Sequence, residues 1–199
     1  MMQNSGDVYE KVRELISLEG TTLLDVGAGT GDFVKTLSSW IKVDVCGYEK
    51  IDNLKFKHVD LNKDNLPYKN NSFKLTTCIE VIEHVENPFK LIRELARVTK
   101  KDGVCVLTTP NVQSWYYRLY YAFTGKLLGF NQIDGYSFDH TTPIHWQIFK
   151  PYLEKYFDIE VITGNRSIIP LVVINLPFDG LAFSDSVILK MRKKWYEIH

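Results

Sequence analysis

Residues Thr22 to Phe33 read TLLDVGAGTGDF, an apolar run that breaks into three glycines at alternate positions. Glycine loses more conformational freedom on folding than any other residue. It is used where the backbone needs a positive φ or where something must approach closely. Gly27, Gly29 and Gly31 stand where a strand gives way to a helix, and that position predicts a turn that cradles a ligand.

On either side the chain alternates strand and helix patterns. Val8, Val12, Leu15 and Ile16 fall at helical spacing between Gly6 and Leu18, and Thr21 to Val26 reads as a buried strand. A helix is expected over Asp32 to Trp40, then short strands over Val43 to Tyr48, Phe56 to Leu61 and Phe73 to Ile79. Pro88 opens a helix that runs to Val98, and a strand over Val104 to Thr109 follows the Lys101-Asp102-Gly103 turn. After Pro110 the chain is crowded with aromatics as far as Trp146. Regular structure resumes with a helix over Ile148 to Tyr156 and strands over Ile159 to Thr163 and Ser186 to Met191. This alternation implies an α/β fold, a parallel sheet covered on both faces. Its ligand is expected beyond the carboxyl ends of the strands, where strand order reverses.

Bulk properties narrow the function. A chain of 199 residues fits one domain, 1–199. Its 24 basic and 24 acidic side chains balance, which argues against nucleic acid as the main partner. Cys46, Cys78 and Cys105 are odd in number and embedded in apolar runs, so reduced core thiols are expected rather than disulfides or a zinc site. The N-terminal residues lack a signal-peptide pattern, and no apolar run approaches the roughly 20 residues of a membrane span. The expected location is cytoplasmic; oligomeric state is not legible.

The glycines gain meaning from their neighbours. Glu49 ends the next strand about twenty positions on, where a carboxylate can accept from two ribose hydroxyls. A dinucleotide fingerprint would need a small residue at position 32. Asp32 stands there instead and would repel a pyrophosphate. With Asp25 before the glycines, the mouth suits a ligand with a positive centre and no phosphate.

DVGAGTG, from Asp25 to Gly31, resembles the first motif of the class I S-adenosylmethionine-dependent methyltransferases. Glu49 after VCGY is placed like their ribose-binding acid, and Asp60-Leu61 in HVDLNKDNLPY like the segment that reads adenine. Residues 72–111 are similar to their fourth motif, following helix and fifth strand, and SDSVILKMRK to their antiparallel last strand. The resemblance is strong over residues 20–110 and loose over 140–193. It implies a Rossmann-like, doubly wound, seven-stranded and mostly parallel sheet with an antiparallel last strand, plus a helical aromatic-rich insertion. It also implies S-adenosylmethionine as cofactor, with contacts from Asp25, Gly27, Ala28, Gly29, Gly31, Glu49, Lys50, Asp60, Leu61, Glu80 and Val81. IEVIEHVENP and TTPN resemble the branch that includes quinone-biosynthesis methyltransferases, as does DHTTPIHWQIFKPYLEKYF apart from Lys150-Pro151. That branch implies a small-molecule acceptor, and the aromatic insertion, read as a lid, suits an apolar or aromatic one without naming it.

Several readings stay open at this level. Methyl transfer is an in-line displacement in which positioning dominates, and a base is needed only if the acceptor loses a proton. His84 is the candidate catalytic base; otherwise it caps the following turn. Glu80, at its strand's end, is expected beside the cofactor's positive centre, whereas Glu83 is expected to face solvent or cap a turn. The leading reading involves no metal. E-x-x-E-H also resembles the metal site of small-RNA 3′-terminal 2′-O-methyltransferases, in which Glu80, Glu83, His84 and His140 or His145 would hold a divalent cation. TTPN matches their Phe-x-Pro-Asn signature without the Phe, and the neutral charge weighs against RNA. The insertion 111–146 reads either as a lid over the acceptor, which would also allow peripheral membrane contact, or as helices whose core face carries Tyr117, Tyr121 and Leu128. A cofactor-binding protein without catalysis is the remaining alternative.

Overall fold

The computed structural model describes residues 5–37, 42–47, 51, 54–130, 140–165 and 181–195. β1 (Thr22–Val26) pairs in parallel with β2 (Lys42–Gly47) on one side and with β4 (Phe73–Ile79) on the other. Its Leu23 and Leu24 are both fully buried because successive strand residues point to opposite faces and each face is covered. Leu23 packs with Val8 and Val12 of α1 (Ser5–Leu15) and with Phe33 and Val34 of α2 (Asp32–Lys35). Leu24 joins the opposite layer. There α3 (Pro88–Val98) contributes Leu91, Ile92 and Leu95, and α5 (Trp146–Leu153) contributes Phe149 and Leu153.

The sheet is completed by β3 (Lys55–His58), β5 (Thr99–Pro110), β6 (Phe157–Gly164) and β7 (Ser186–Lys193), in the order β3-β2-β1-β4-β5-β7-β6. β7 is antiparallel to both neighbours, with Thr108 opposite Ile188 on one side and Ile162 opposite Leu189 on the other. The other strands run one way, so the expected mostly parallel sheet with an antiparallel last strand is the observed one. Strand order reverses between β1 and β4, which opens a crevice at their carboxyl ends.

α3 spans the residues its sequence pattern predicts. Asn87 caps it by accepting from Lys90 N at 2.9 Å, and Pro88 occupies the first turn, where an N–H would have no partner. Three elements differ most from their expected bounds: α2 ends at Lys35 rather than Trp40, β3 ends at His58 so that Asp60-Leu61 fall in the turn beyond it, and β5 starts early. β5 begins at Thr99, five residues early, because residues 100–103 form a bulge: the register with β4 jumps from Phe73–Thr99 to Leu75–Val104. Asp102 adopts φ 58° in it. The insertion contains a helix, as expected: α4 (Trp115–Thr124), closed by Gly125 at φ 66°. Tyr48, residues 38–41 at the end of the expected second helix, and most of the segment 165–183 lie outside the described residues. No helix among the described residues is long and apolar enough to cross a membrane.

Leu95 is 1% exposed at the centre of the α3 layer. Leu95→Ala is expected to lower the unfolding free energy by about 2–5 kcal/mol, measured by urea denaturation.

Candidate active site

All three glycines of the turn after β1 have positive φ: 73° at Gly27, 50° at Gly29 and 79° at Gly31. At two of them the space is taken. A Cβ on Gly27 would lie 2.5 Å from a methyl of Val81, and one on Gly31 3.1 Å from Ile51. At Gly29 nothing among the described residues lies within 4 Å of a Cβ, so this apex is open. The turn is held by Gly27 N and Ala28 N, which donate to Cys46 O at 2.8 and 3.2 Å, and by Gly31 N, which donates to Ala28 O at 2.7 Å.

Asp25 lies under this turn, 3% exposed, and accepts from Thr77 Oγ1 at 2.6 Å. Burial pushes its carboxyl up from 3.8 to about 7, against the opposing pull of the Thr77 hydroxyl. A carboxylate deprived of water in this way gains most from a cation placed nearby. Asp32 is satisfied within its own turn, by Thr30 Oγ1 at 2.7 Å and Lys35 Nζ at 3.0 Å.

Asp60 and Leu61 form the turn after β3. Val59 N donates to Gly47 O at 3.0 Å, and the Gly47 backbone is so close to the glycine turn that a Cβ on it would lie 3.5 Å from Ala28 N. The chain ends at 27–28, 46–47 and 59–60 therefore meet, as one nucleoside would require. The Asp60 carboxylate accepts from Lys63 Nζ at 3.1 Å and Asn62 N at 3.0 Å, which hold it below the usual carboxylate range. Glu49 and Lys50 lie outside the described residues.

Across the crevice, β4 ends in Glu80 at φ 54°, a left-handed conformation unusual for a non-glycine residue. Thr108 secures it: its Oγ1 accepts from Glu80 N at 3.0 Å and donates to Glu80 Oε1 at 2.7 Å. This turn sends Val81 back onto Gly27 and starts the 3-10 turn Ile82–His84.

Glu83 does not face solvent as its sequence suggests; it is fully buried. Its Oε2 accepts from Thr109 Oγ1 at 3.2 Å, while its buried Oε1 has no hydrogen-bond partner among the described residues. Two imidazoles stand over that oxygen, with His84 Nε2 and His140 Nε2 each 4.0 Å away. The two rings meet edge to face at 4.7 Å. Burial, reinforced by the charge of Glu80, raises the Glu83 carboxyl well above its ordinary value. The segment carrying His140 is pinned here because Thr141 N and Thr142 N both donate to Glu83 O at 2.9 Å. Potential ligand atoms of Glu83, His84 and His140 lie within 4.8 Å of one another. Of the wider set considered for a metal, Glu80 is taken up by Thr108 and His145 precedes α5, so neither joins this group.

Of the insertion, residues 111–130 and 140–146 are described. Tyr117 is the buried residue of α4, whereas Tyr121 is 55% exposed and so leaves the core face assigned to it. The Tyr117 hydroxyl points towards Gly129, where a Cβ would lie 3.8 Å from it and 3.6 Å from His140 Nδ1. The pairing of Thr108 and Thr109 with Glu80 and Glu83 was not foreseen; its one sequence signal is the position of the threonines at the end of β5, level with the end of β4.

Residues 5–154 match a family described as a methyltransferase domain. The chain belongs to that family. It is 27% identical over 168 residues to the mitochondrial ubiquinone biosynthesis O-methyltransferase of Dictyostelium discoideum, covering 72% of this chain and 50% of that one. With the demethylmenaquinone methyltransferase of Alkalihalophilus pseudofirmus it shares 28% identity, over 60% of this chain and 59% of that one. The chain spans about half the length of the curated relatives it matches. Among solved structures, a Thermotoga maritima S-adenosylmethionine-dependent methyltransferase superposes with a TM-score of 0.69 at 19% identity, covering 94% of this chain and 87% of that one. The [4+2]-cyclase SpnF superposes with a TM-score of 0.66 at 18% identity, over 96% and 82%. Family and fold together imply S-adenosylmethionine as the cofactor, and the open apex at Gly29 above a buried carboxylate fits it.

Because the Asp25 carboxyl is raised in the folded state, its neutral form stabilises the cofactor-free protein. That contribution is complete below the unfolded value of 3.8 and is lost as pH rises through about 7. Asp25→Asn keeps the neutral shape, so unfolding free energies measured across this window should fall with pH more steeply in the wild type than in the variant.

Proposed function

We propose that this protein transfers a methyl group from S-adenosylmethionine to a small-molecule acceptor with an apolar or aromatic body. The observation that carries the reading is the meeting of the Gly29 apex, buried Asp25 and the Asp60 turn on one side of a crevice, with Glu80, Glu83 and His84 on the other. The printed names of the quinone-biosynthesis relatives support an acceptor of this kind. Free buried thiols at Cys46, Cys78 and Cys105 support a reducing, cytoplasmic location.

In this reading Gly27, Ala28, Gly29 and Gly31 supply the backbone cradle, and Asp60 and Leu61 flank the adenine. Glu49 and Lys50 take the ribose on the strength of their spacing alone, and Glu80 and Val81 face the methionine end. Bound there, S-adenosylmethionine supplies an electrophilic methyl on a sulfonium. The protein's own task is to hold the acceptor in line and exclude water. On this proposal His84, its side chain 40% exposed next to buried Glu83, takes a proton from an acceptor hydroxyl at Nε2. α4, with Tyr117 turned inward and Phe123 85% exposed, forms the wall or lid on the acceptor side.

Titration calorimetry is expected to show binding of S-adenosylmethionine and S-adenosylhomocysteine and none of NAD; the reverse preference would sink the reading. His84→Ala should lower kcat by about 10²–10⁴-fold while S-adenosylhomocysteine binds as before.

A second reading is favoured by Glu83 Oε1, a buried acceptor between two imidazoles without a donor among the described residues. Glu83, His84 and His140 would hold a divalent cation that grips an acceptor hydroxyl, in a small molecule or at a ribose terminus. Added manganese should then stimulate turnover in the wild type and leave Glu83→Gln unaffected; equal turnover in chelator and in manganese would eliminate it.

A further inference from the structure

A second hollow lies at the opposite end of the sheet, where β1 and β4 begin, β5 bulges and β7 ends. Its volume is about 430 Å³. At about 3.3 Å per residue along strands of five to seven residues, it stands roughly 20 Å from the glycine turn. Its apolar lining comes from Leu15, Ile16, Leu75 and Val104. Five cations surround this floor: Lys74, Lys100, Lys101, Lys190 and Arg192. Glu160 engages two of them, lying 3.6 Å from Lys190 and in contact with Arg192. Asp102 is the acidic residue of the lining. Among the described residues no carboxylate forms an ion pair with Lys74, Lys100 or Lys101. Five cations against two carboxylates is a local excess in a chain whose 24 basic and 24 acidic residues balance as a whole.

Two of the five cations owe their position to an irregularity in the sheet. Lys100 and Lys101 ride on the β5 bulge, without which the pairing with β4 would run straight on. The bulge is also fixed in place. Arg192 Nη1 donates to Asp102 O at 2.9 Å, and a Cβ on Gly103 would lie 2.8 Å from Lys100 O and 3.0 Å from Lys74 O. The field reaches the buried ammonium of Lys193, which donates to Thr99 O at 2.8 Å. Burial first, then Lys101 and Arg97, pushes it down to about 8. Clustered like charges around an apolar floor are unfavourable until a multiply charged anion neutralises them.

We propose that this hollow is a binding site for an organic phosphate, with the apolar or planar body on Leu15, Ile16, Leu75 and Val104 and the phosphate oxygens on Lys74, Lys100 and Lys101. Lysine ammonium groups bind phosphate as point charges, and three of them match an anion of two or more charges better than a single carboxylate. A nucleotide and a prenyl or lipid phosphate share this chemistry. The proposal is independent of the methyl-transfer reading, since none of these residues lies in the crevice.

The test is calorimetry on the full chain at low ionic strength with ADP, geranyl diphosphate and inorganic diphosphate, each with S-adenosylhomocysteine at saturation to close the crevice. One of the two organic diphosphates should bind at least about tenfold tighter than inorganic diphosphate, its identity naming the ligand class. The double variant Lys74→Ala/Lys101→Ala should weaken that binding by about tenfold or more, and added salt should weaken it in the wild type. The variant's circular dichroism spectrum and urea midpoint should match the wild type, which establishes that it folds. Organic diphosphates that bind no tighter than the inorganic ion, or equally well to the variant, would overturn the proposal.

Discussion

Position 27 can carry no side chain, because Val81 already occupies the place where one would go. This one steric fact joins the two halves of the crevice. Val81 arrives there because Glu80 bends the end of β4 into a left-handed turn, and Glu80 holds that turn because Thr108, at the end of β5, meets both its amide and its carboxylate. Three strand ends are thereby locked to the glycine turn by contact rather than by flexible linkage. A site built this way is preorganised, and the strain at Glu80 is borne by a rigid sheet.

The electrostatics follow from the same closeness. Asp25 and Glu83 are carboxyl groups removed from water at the ends of adjacent strands, each given a single hydroxyl from a neighbouring threonine: Thr77 for Asp25 and Thr109 for Glu83. Among the described residues neither is paired with a lysine or arginine. Two under-compensated acids facing one crevice are poorly explained by stability, and they suit a site that awaits positive charge. The fold alone does not dictate the chemistry, since a cyclase shares it.

Much of the architecture was legible because the apolar runs are short and punctuated. β4 and α3 match their expected bounds, since Phe73 to Ile79 is an unbroken buried run and Asn87-Pro88 is an explicit start signal. The glycine turn was legible because glycine has few other uses in that position. What could not be read depended on contacts between distant segments. Glu83 has the sequence context of a solvated turn residue, and its burial comes from Thr141 and Thr142, more than fifty positions on, closing over its carbonyl. The choice of His140 over His145 turns on the same closure. The buried face of α4 was obscured because aromatics at consecutive positions carry no helical period; only the structure separates inward Tyr117 from outward Tyr121. The β5 bulge read as a simple turn, since Asp102-Gly103 suits either.

The placement of β7 between β5 and β6 bears on how the molecule is made. During synthesis β5 emerges long before residues 186–193, and until those residues arrive its outer edge has no partner and β6 has nothing to pair with. A ribosome-bound chain therefore carries an unfinished sheet with an open hydrogen-bonding edge across the whole of residues 111–185. Long-range closure of this sort is slow, and an uncovered strand edge invites pairing with other chains. The step that completes the sheet is thus also the one that removes its chief liability to aggregation.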